Sequence, residues 1–270
     1  ALLSAAVEAR ACRDAHGWGT FEEAAEAFRP APGCPRCGDG RSATGSQRRL
    51  CRACGARYGS LAGTVFERSK ADFPTWVRFV SMMCWNCQLD AAAELCGISH
   101  RTAFEWRHRV FASVARRQEA VRLSGRVWVD ETYVTDAPLM GDPDWRPRRG
   151  LSRNKLCIAV AIDARKNMVA VVCGHGKPTS GRIRDALLGH VAPGSTIVHD
   201  REKPHRALVR GAGGADESYR ADSRDPACLV GMEMVDSLCS WIKRHLRRFP
   251  GMRPEHLQDY LDWCVYLFRV

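Results

Sequence analysis

No stretch of this chain approaches the run of about eighteen apolar residues that a membrane-spanning helix needs, so no such span is expected within it. A secretory signal pattern is missing from the first ten residues. The chain also begins at Ala1 instead of Met, which leaves open a longer natural N-terminus. Internal repeats and low-complexity stretches are absent. An even set of cysteines is absent too. The count is 13, and an odd number without a secretion signal argues against a disulfide framework and for a reducing cytoplasm. Acidic residues are in deficit, 30 Asp and Glu against 41 Lys and Arg, for a formal net charge of +11. That balance favours a polyanionic partner, because each cation placed on a phosphate releases counterions.

What remains is ordinary globular composition, 45% hydrophobic and 26% charged over 270 residues, enough for several small domains. Residues 1–29 are Ala-rich, with Phe21, Ala25 and Phe28 at helical spacing, and a Pro-rich breaker follows. The segment 34–60 is short of large apolar residues and holds two matched knuckles, Cys34-Pro-Arg-Cys37 and Cys51-Arg-Ala-Cys54, with thirteen residues between them. Four thiolates so arranged close a tetrahedral structural Zn²⁺ site, and the metal supplies folding free energy that the segment cannot draw from a core. Six Arg against one acid across 34–57 favour DNA-backbone binding, with Arg48, Arg49 and Arg52 as candidates, although zinc ribbons also mediate protein contacts. A third pair, Cys84 and Cys87, lies in an apolar helical stretch without a partner pair and reads as core.

Residues 88–106 fit a helix-turn-helix: small Ala residues at 91–93, Gly97 for the turn, and Ser99 to cap the second helix. On that reading Ile98, Ala103 and Trp106 face the first helix. His100, Arg101, Thr102 and Glu105 face a groove, and Arg107 and Arg109 lie near phosphates. After Ser124-Gly125 the pattern changes. Strands are expected at 126–134, 155–162, 168–173 and 195–199, with a candidate fifth at 217–221. Helices are expected at 182–191, 204–210, 232–249 and 254–268.

Three acids stand out against this background. Asp130 interrupts an otherwise apolar strand, where Asp is disfavoured. Asp200 ends another strand, and Asp236 lies on a helix with Lys243 two turns further along the same face. Carboxylates from two strand ends and one helix suit a pair of Mg²⁺ or Mn²⁺ ions in phosphodiester chemistry, with Lys243 on a DNA phosphate. Glu131 points to the opposite strand face from Asp130 and reads as structural. Glu233 and His205 are secondary candidates; His205 either contacts substrate or caps the helix after it.

These motifs together resemble bacterial insertion-sequence transposases of the zinc-ribbon-plus-DDE type, related to eukaryotic Merlin elements. The resemblance spans roughly residues 30–270. It is carried by the two knuckles, the helix-turn-helix, Val129-Asp-Glu-Thr-Tyr133, Val198-His-Asp200, Asp236-Ser-Leu-Cys-Ser-Trp-Ile-Lys243 and Leu257-Gln-Asp-Tyr-Leu261. It implies an α/β fold with a ribonuclease H-like catalytic domain at 123–270. Ahead of it come a helical segment (1–30), a zinc ribbon (31–62) and a helix-turn-helix region (63–122). It implies Asp130, Asp200, Asp236 and Lys243 as catalytic candidates, although the family's third acid position usually holds Glu or Asn. It implies a cut-and-paste enzyme acting on double-stranded DNA, both transposon ends and target, as a homodimer or higher oligomer associated with a bacterial nucleoid. The rival readings are a zinc-ribbon DNA-binding regulator and a decayed or domesticated transposase.

Overall fold

A computed structural model describes residues 20–27, 29–30, 33–44, 48–135, 155–220, 222, 224–249 and 251–269. Most of the expected N-terminal helical segment, including Phe28, and Ala221 of the candidate fifth strand lie outside them. The chain forms two compact units, Ala1–Ser113 and Val114–Val270.

In the first unit, α1 (Phe21–Ala27) opens on Thr20, whose hydroxyl accepts from the Glu23 N–H while the Glu23 carboxylate accepts from the Thr20 N–H, a reciprocal capping pair. Strands β1 (Ser42–Thr44), β2 (Arg48–Cys51) and β3 (Arg57–Gly59) make a small antiparallel sheet. Helix α2 (Phe73–Cys84) starts at Asp72, whose carboxylate accepts from Thr75 N–H, and has Pro74 in its first turn. Its buried Phe73, Trp76 and Phe79 meet Phe66 and Trp106, with the Trp76 and Trp106 rings stacked at 3.6 Å. Aromatic area thus supplies this unit's core. Helix α3 (Leu89–Leu95) ends on Gly97 at φ 62°, and Ile98 N–H reaches back to the Ala93 carbonyl. Helix α4 (His100–Glu119) begins at Ser99, whose hydroxyl accepts from Thr102 N–H. Asn86, at φ 55°, follows the end of α2, so Cys87 sits in the turn before α3, not in a helix.

The second unit is a five-stranded mixed sheet with helices on both faces. Its strands are β4 (Arg126–Thr135), β5 (Lys155–Asp163), β6 (Met168–His175), β7 (Thr196–His199) and β8 (Asp216–Ser218), in the order β6-β5-β4-β7-β8. The first three are antiparallel, and β7 and β8 run parallel to β4. This is the ribonuclease H-like arrangement. Odd-numbered residues of β4 (Val127, Val129) pack with Ile183 and Leu187 of α5 (Ser180–Leu187) and Leu208 and Ala212 of α6 (Arg206–Ala212). Even-numbered residues face α7 (Pro226–Leu246), where the Trp128 indole donates to the Gly231 carbonyl at 2.8 Å. A Cβ at Gly231 would lie 2.5 Å from the Tyr219 ring, so glycine leaves room for that ring against the helix. Helix α8 (Leu257–Arg269) closes the unit, with Gln258 hydrogen bonded to β6 at Val172 N–H and the Ala170 carbonyl.

Two helices start earlier than expected. α7 begins at Pro226, six residues before the expected 232, because Asp225 caps it through Ala227 N–H and Pro226 occupies the first turn. α5 begins at Ser180 for the same kind of reason, Thr179 accepting from Arg182 N–H.

Candidate active site

The register of β4 and β7 brings two of the expected acids together. Val127 pairs with Ile197 and Trp128 with Val198, so the same parallel register carried two residues onward sets Asp130 beside Asp200, just past the end of β7. α7 crosses over Asp130, with the Cys239 thiol 3.8 Å from the Asp130 carboxylate. Asp236 and Lys243, one turn either side of Cys239, lie along the same helical face. Burial pushes the Asp130 carboxyl up to about 7, and the charges of Asp200 and Glu131 add to the rise. Asp236 is raised by burial and by Asp200, with Lys243 opposing. Glu233, one turn back from Asp236, is exposed as Asp236 is, and both line an outer groove with Val230, Ser237 and Arg244.

Asp200 behaves differently. Burial raises it, but hydrogen bonds from His205 and from Glu202 N–H outweigh burial, and its net shift is downward. His205 neither caps α6 nor meets solvent. It is fully buried, with Nδ1 3.4 Å from Asp200 Oδ1 and Nε2 3.2 Å from Glu131 Oε1, the latter an ion-pair contact outside hydrogen-bond geometry. Burial disfavours its charged form, but the Asp200 and Glu131 carboxylates prevail and lift it to about 9. His199 lies next to it, 3.3 Å between the Nδ1 atoms. The Arg201 N–H donates to His199 Nδ1 at 3.2 Å, so that nitrogen is unprotonated and Nε2–H donates to Asp216 at 3.0 Å. Arg201 itself stands at φ 67°, a left-handed backbone costly for a side-chain-bearing residue, immediately after Asp200. Glu131 is on the strand face opposite Asp130, as alternation requires. There it anchors His205, a role that local sequence does not signal.

Asp130, Asp200 and Asp236 offer only hard oxygen donors and too little positive charge for three carboxylates, a set suited to divalent Mg²⁺ or Mn²⁺. Their oxygens do not all lie within 4.8 Å of one another, so they form no single closed cage. In the first unit, by contrast, the Cys34, Cys37, Cys51 and Cys54 thiols do lie within that distance. The Cys34–Cys54 and Cys37–Cys51 sulfurs are each 3.6 Å apart. A tetrahedron with Zn–S arms of about 2.3 Å has edges of about 3.8 Å, so this donor set fits zinc. Gly38 and Gly55, each directly after the second Cys of a knuckle, turn the chain at φ 75° and 69°.

Arg48 and Arg52 are exposed and Arg49 partly so. His100 and Arg101 are exposed at the start of α4, where they pair with Asp90 (3.5 Å) and Glu105 (3.1 Å). Thr102 shares a 2.8 Å hydrogen bond with Ser99. Arg107 and Arg109 do not occupy the surface positions expected of phosphate contacts. Arg107 is buried, and Arg109 lies over the Trp76 ring and donates to the Glu67 carbonyl. Tertiary packing has turned them inward.

Among the described residues, no helix is long and apolar enough to cross a membrane. No relative among curated proteins matches the sequence. Among solved structures, the chain is similar to a simian T-cell lymphotropic virus intasome in complex with the PP2A regulatory subunit B56 gamma, at 12% identity over 69% of this chain and 67% of that one, TM-score 0.34. It is also similar to the Mos1 strand transfer complex, at 15% identity over 69% and 72%, TM-score 0.26. A third is the Mos1 mariner paired end complex with Mn, at 13% identity over 97% and 90%, TM-score 0.27. The model of the ISXO2-like transposase domain matches residues 122–268, more than half of the sequence. This chain belongs to the ISXO2-like transposase family.

Proposed function

We propose that this transposase binds transposon ends through its N-terminal region and cuts and joins DNA at Asp130, Asp200 and Asp236. The observation that carries the reading is the parallel register that sets Asp130 beside Asp200, under a helix bearing Asp236 and Lys243. Two divalent ions bound there supply stabilisation of the attacking and leaving oxygens of an in-line displacement at phosphorus. The chain's own part is positional. His205 fixes Asp200, and α7 lowers Asp236 and Lys243 onto the site, where the ammonium holds a DNA phosphate. The same arrangement serves water attack at the transposon end and then attack by the freed 3′-hydroxyl on target DNA.

In the first unit a structural Zn²⁺ on the four cysteines orders the ribbon. Arg48, Arg49 and Arg52 contact the DNA backbone, and His100, Arg101 and Thr102 face base edges. Acting on paired ends calls for at least a homodimer on DNA, in the nucleoid of a bacterial cytoplasm. His205 is a supporting residue on this reading, and Glu233 is the rival to Asp236 for the third acid.

The test is incubation of the full chain with Mg²⁺ and a duplex of the terminal repeat flanking its gene. Nicking at the repeat boundary and joining of the freed end to a second duplex are expected. Binding without nicking, unchanged by Asp130→Ala and Asp200→Ala, favours a regulator or a decayed transposase and overturns the proposal.

A further inference from the structure

Beyond Lys243, α7 and the outer part of β4 border a cavity of about 350 Å³ that the chemistry above does not use. Leu156, Leu246 and Met252 are among its apolar wall residues, Tyr133 and Phe249 contribute aromatic ones, and among the described residues Lys243 and Arg247 are the only charged ones that line it. The two cations stand four apart on one helical face. Phosphate binding alone explains the cations but not the hollow, since an exposed Lys and Arg hold phosphates without an apolar pocket. The size falls in the range of sites that enclose a small planar ligand. Its position matters as well: Lys243 is seven residues past Asp236, about 10 Å along the helix.

We propose that this cavity receives a nucleobase turned out of the DNA stack beside the scissile phosphate, while Lys243 and Arg247 hold the phosphates flanking it. The proposal rests on the transposase reading and adds a substrate contact to it. A base leaving the stack gives up its neighbours, and walls that cover its faces offset that loss. Among the described residues no carboxylate lines the cavity, which suits a ligand carried on an anionic backbone.

The experiment uses the full chain and the terminal-repeat duplex, with 2-aminopurine placed in turn at each nucleotide adjoining the scissile phosphate. Without divalent metal, binding of the wild type is expected to brighten one of these positions several-fold, as unstacking does. Met252→Trp, which fills the cavity from a partly exposed position, is expected to remove that signal and keep end binding. With Mg²⁺ it is expected to slow cleavage of intact duplex about tenfold, the scale of one lost base-stacking contact. On a duplex lacking that base, the two proteins are expected to cleave alike. If the wild type cleaves the duplex and no position brightens, the cavity proposal fails and the transposase reading stands. If Met252→Trp slows both duplexes equally, the cavity proposal also fails. A duplex that is bound and never cleaved by the wild type overturns the transposase reading and this proposal with it. Should Met252→Trp not fold, Phe249→Ala serves in its place, with the same expected dependence on the base.

Discussion

The imidazole of His205, with no solvent exposure of its own, lies 3.4 Å from the carboxylate of Asp200 and shares its other side with Glu131. An imidazolium held this way restricts Asp200 to one orientation. Removing it leaves Glu131 buried beside a vacated site, and an orphaned partner of a buried ion pair costs about 3–5 kcal/mol. His205→Ala is therefore expected to lower the unfolding free energy by about that much, as measured by urea denaturation. Glu131→Gln added to His205→Ala is expected to recover part of the loss. A double variant no more stable than the single one would show that the pair is not coupled.

Zinc content gives a second check. About one tightly bound ion per chain is expected by elemental analysis. Cys51→Ser is expected to lose it, because three thiolates no longer close the site. Cys84→Ser and Cys87→Ser are expected to retain it, since neither sulfur joins the four-cysteine cluster.

A third expectation concerns DNA preference. Arg101, exposed at the head of α4, is expected to discriminate sequence, so Arg101→Ala lowers affinity for the terminal repeat more than for random duplex. Arg107→Ala is expected to destabilise the folded unit instead, given its burial. Equal losses on both duplexes for Arg101→Ala would place that side chain on the backbone.

His245 supplies a pH dependence with a definite sign. Burial holds it down to about 4, between Trp241 and Phe249, so the folded chain keeps it neutral where the unfolded chain protonates it. Between about pH 6.5 and 4 the unfolded state binds the extra proton. The stability associated with the neutral ring is present above pH 6.5 and is lost as pH falls toward 4, up to about 3 kcal/mol. His245→Leu is expected to flatten this part of the stability profile relative to wild type, read from Tm at stepped pH. Parallel profiles for the two proteins would contradict it.

The catalytic fold was legible because its signals are local. Alternation around Val127, Val129 and Asp130, and an apolar run ending at Asp200, identify two strands and place an acid on each. The start of α7 was equally local, in Asp225-Pro226, but apolar periodicity from residue 232 onward obscured it. The Glu131–His205 contact joins residues 74 positions apart, and no spacing rule reaches across that distance. Alternation put Glu131 on the right face and could not supply its partner. Arg107 and Arg109 went astray for a related reason. A helical wheel reports a face and not what covers it, and here the Glu67 carbonyl and Trp76 claim Arg109.

On the proposed reading Asp236, with Asp130 and Asp200, cuts DNA. The most direct measurement is single-turnover cleavage of the terminal-repeat duplex by Asp236→Ala and Glu233→Ala, with end binding monitored in parallel. Asp236→Ala is expected to bind normally and lose Mg²⁺-dependent cleavage by about a thousandfold or more, the scale of losing a principal catalytic group. Asp236→Glu is expected to retain partial activity, and Glu233→Ala to stay near wild type, since Asp236 stands one turn from Cys239 over Asp130 and feels the charge of Asp200. An inactive Glu233→Ala beside an active Asp236→Ala would overturn the assignment of Asp236 and move the third acid one turn along α7.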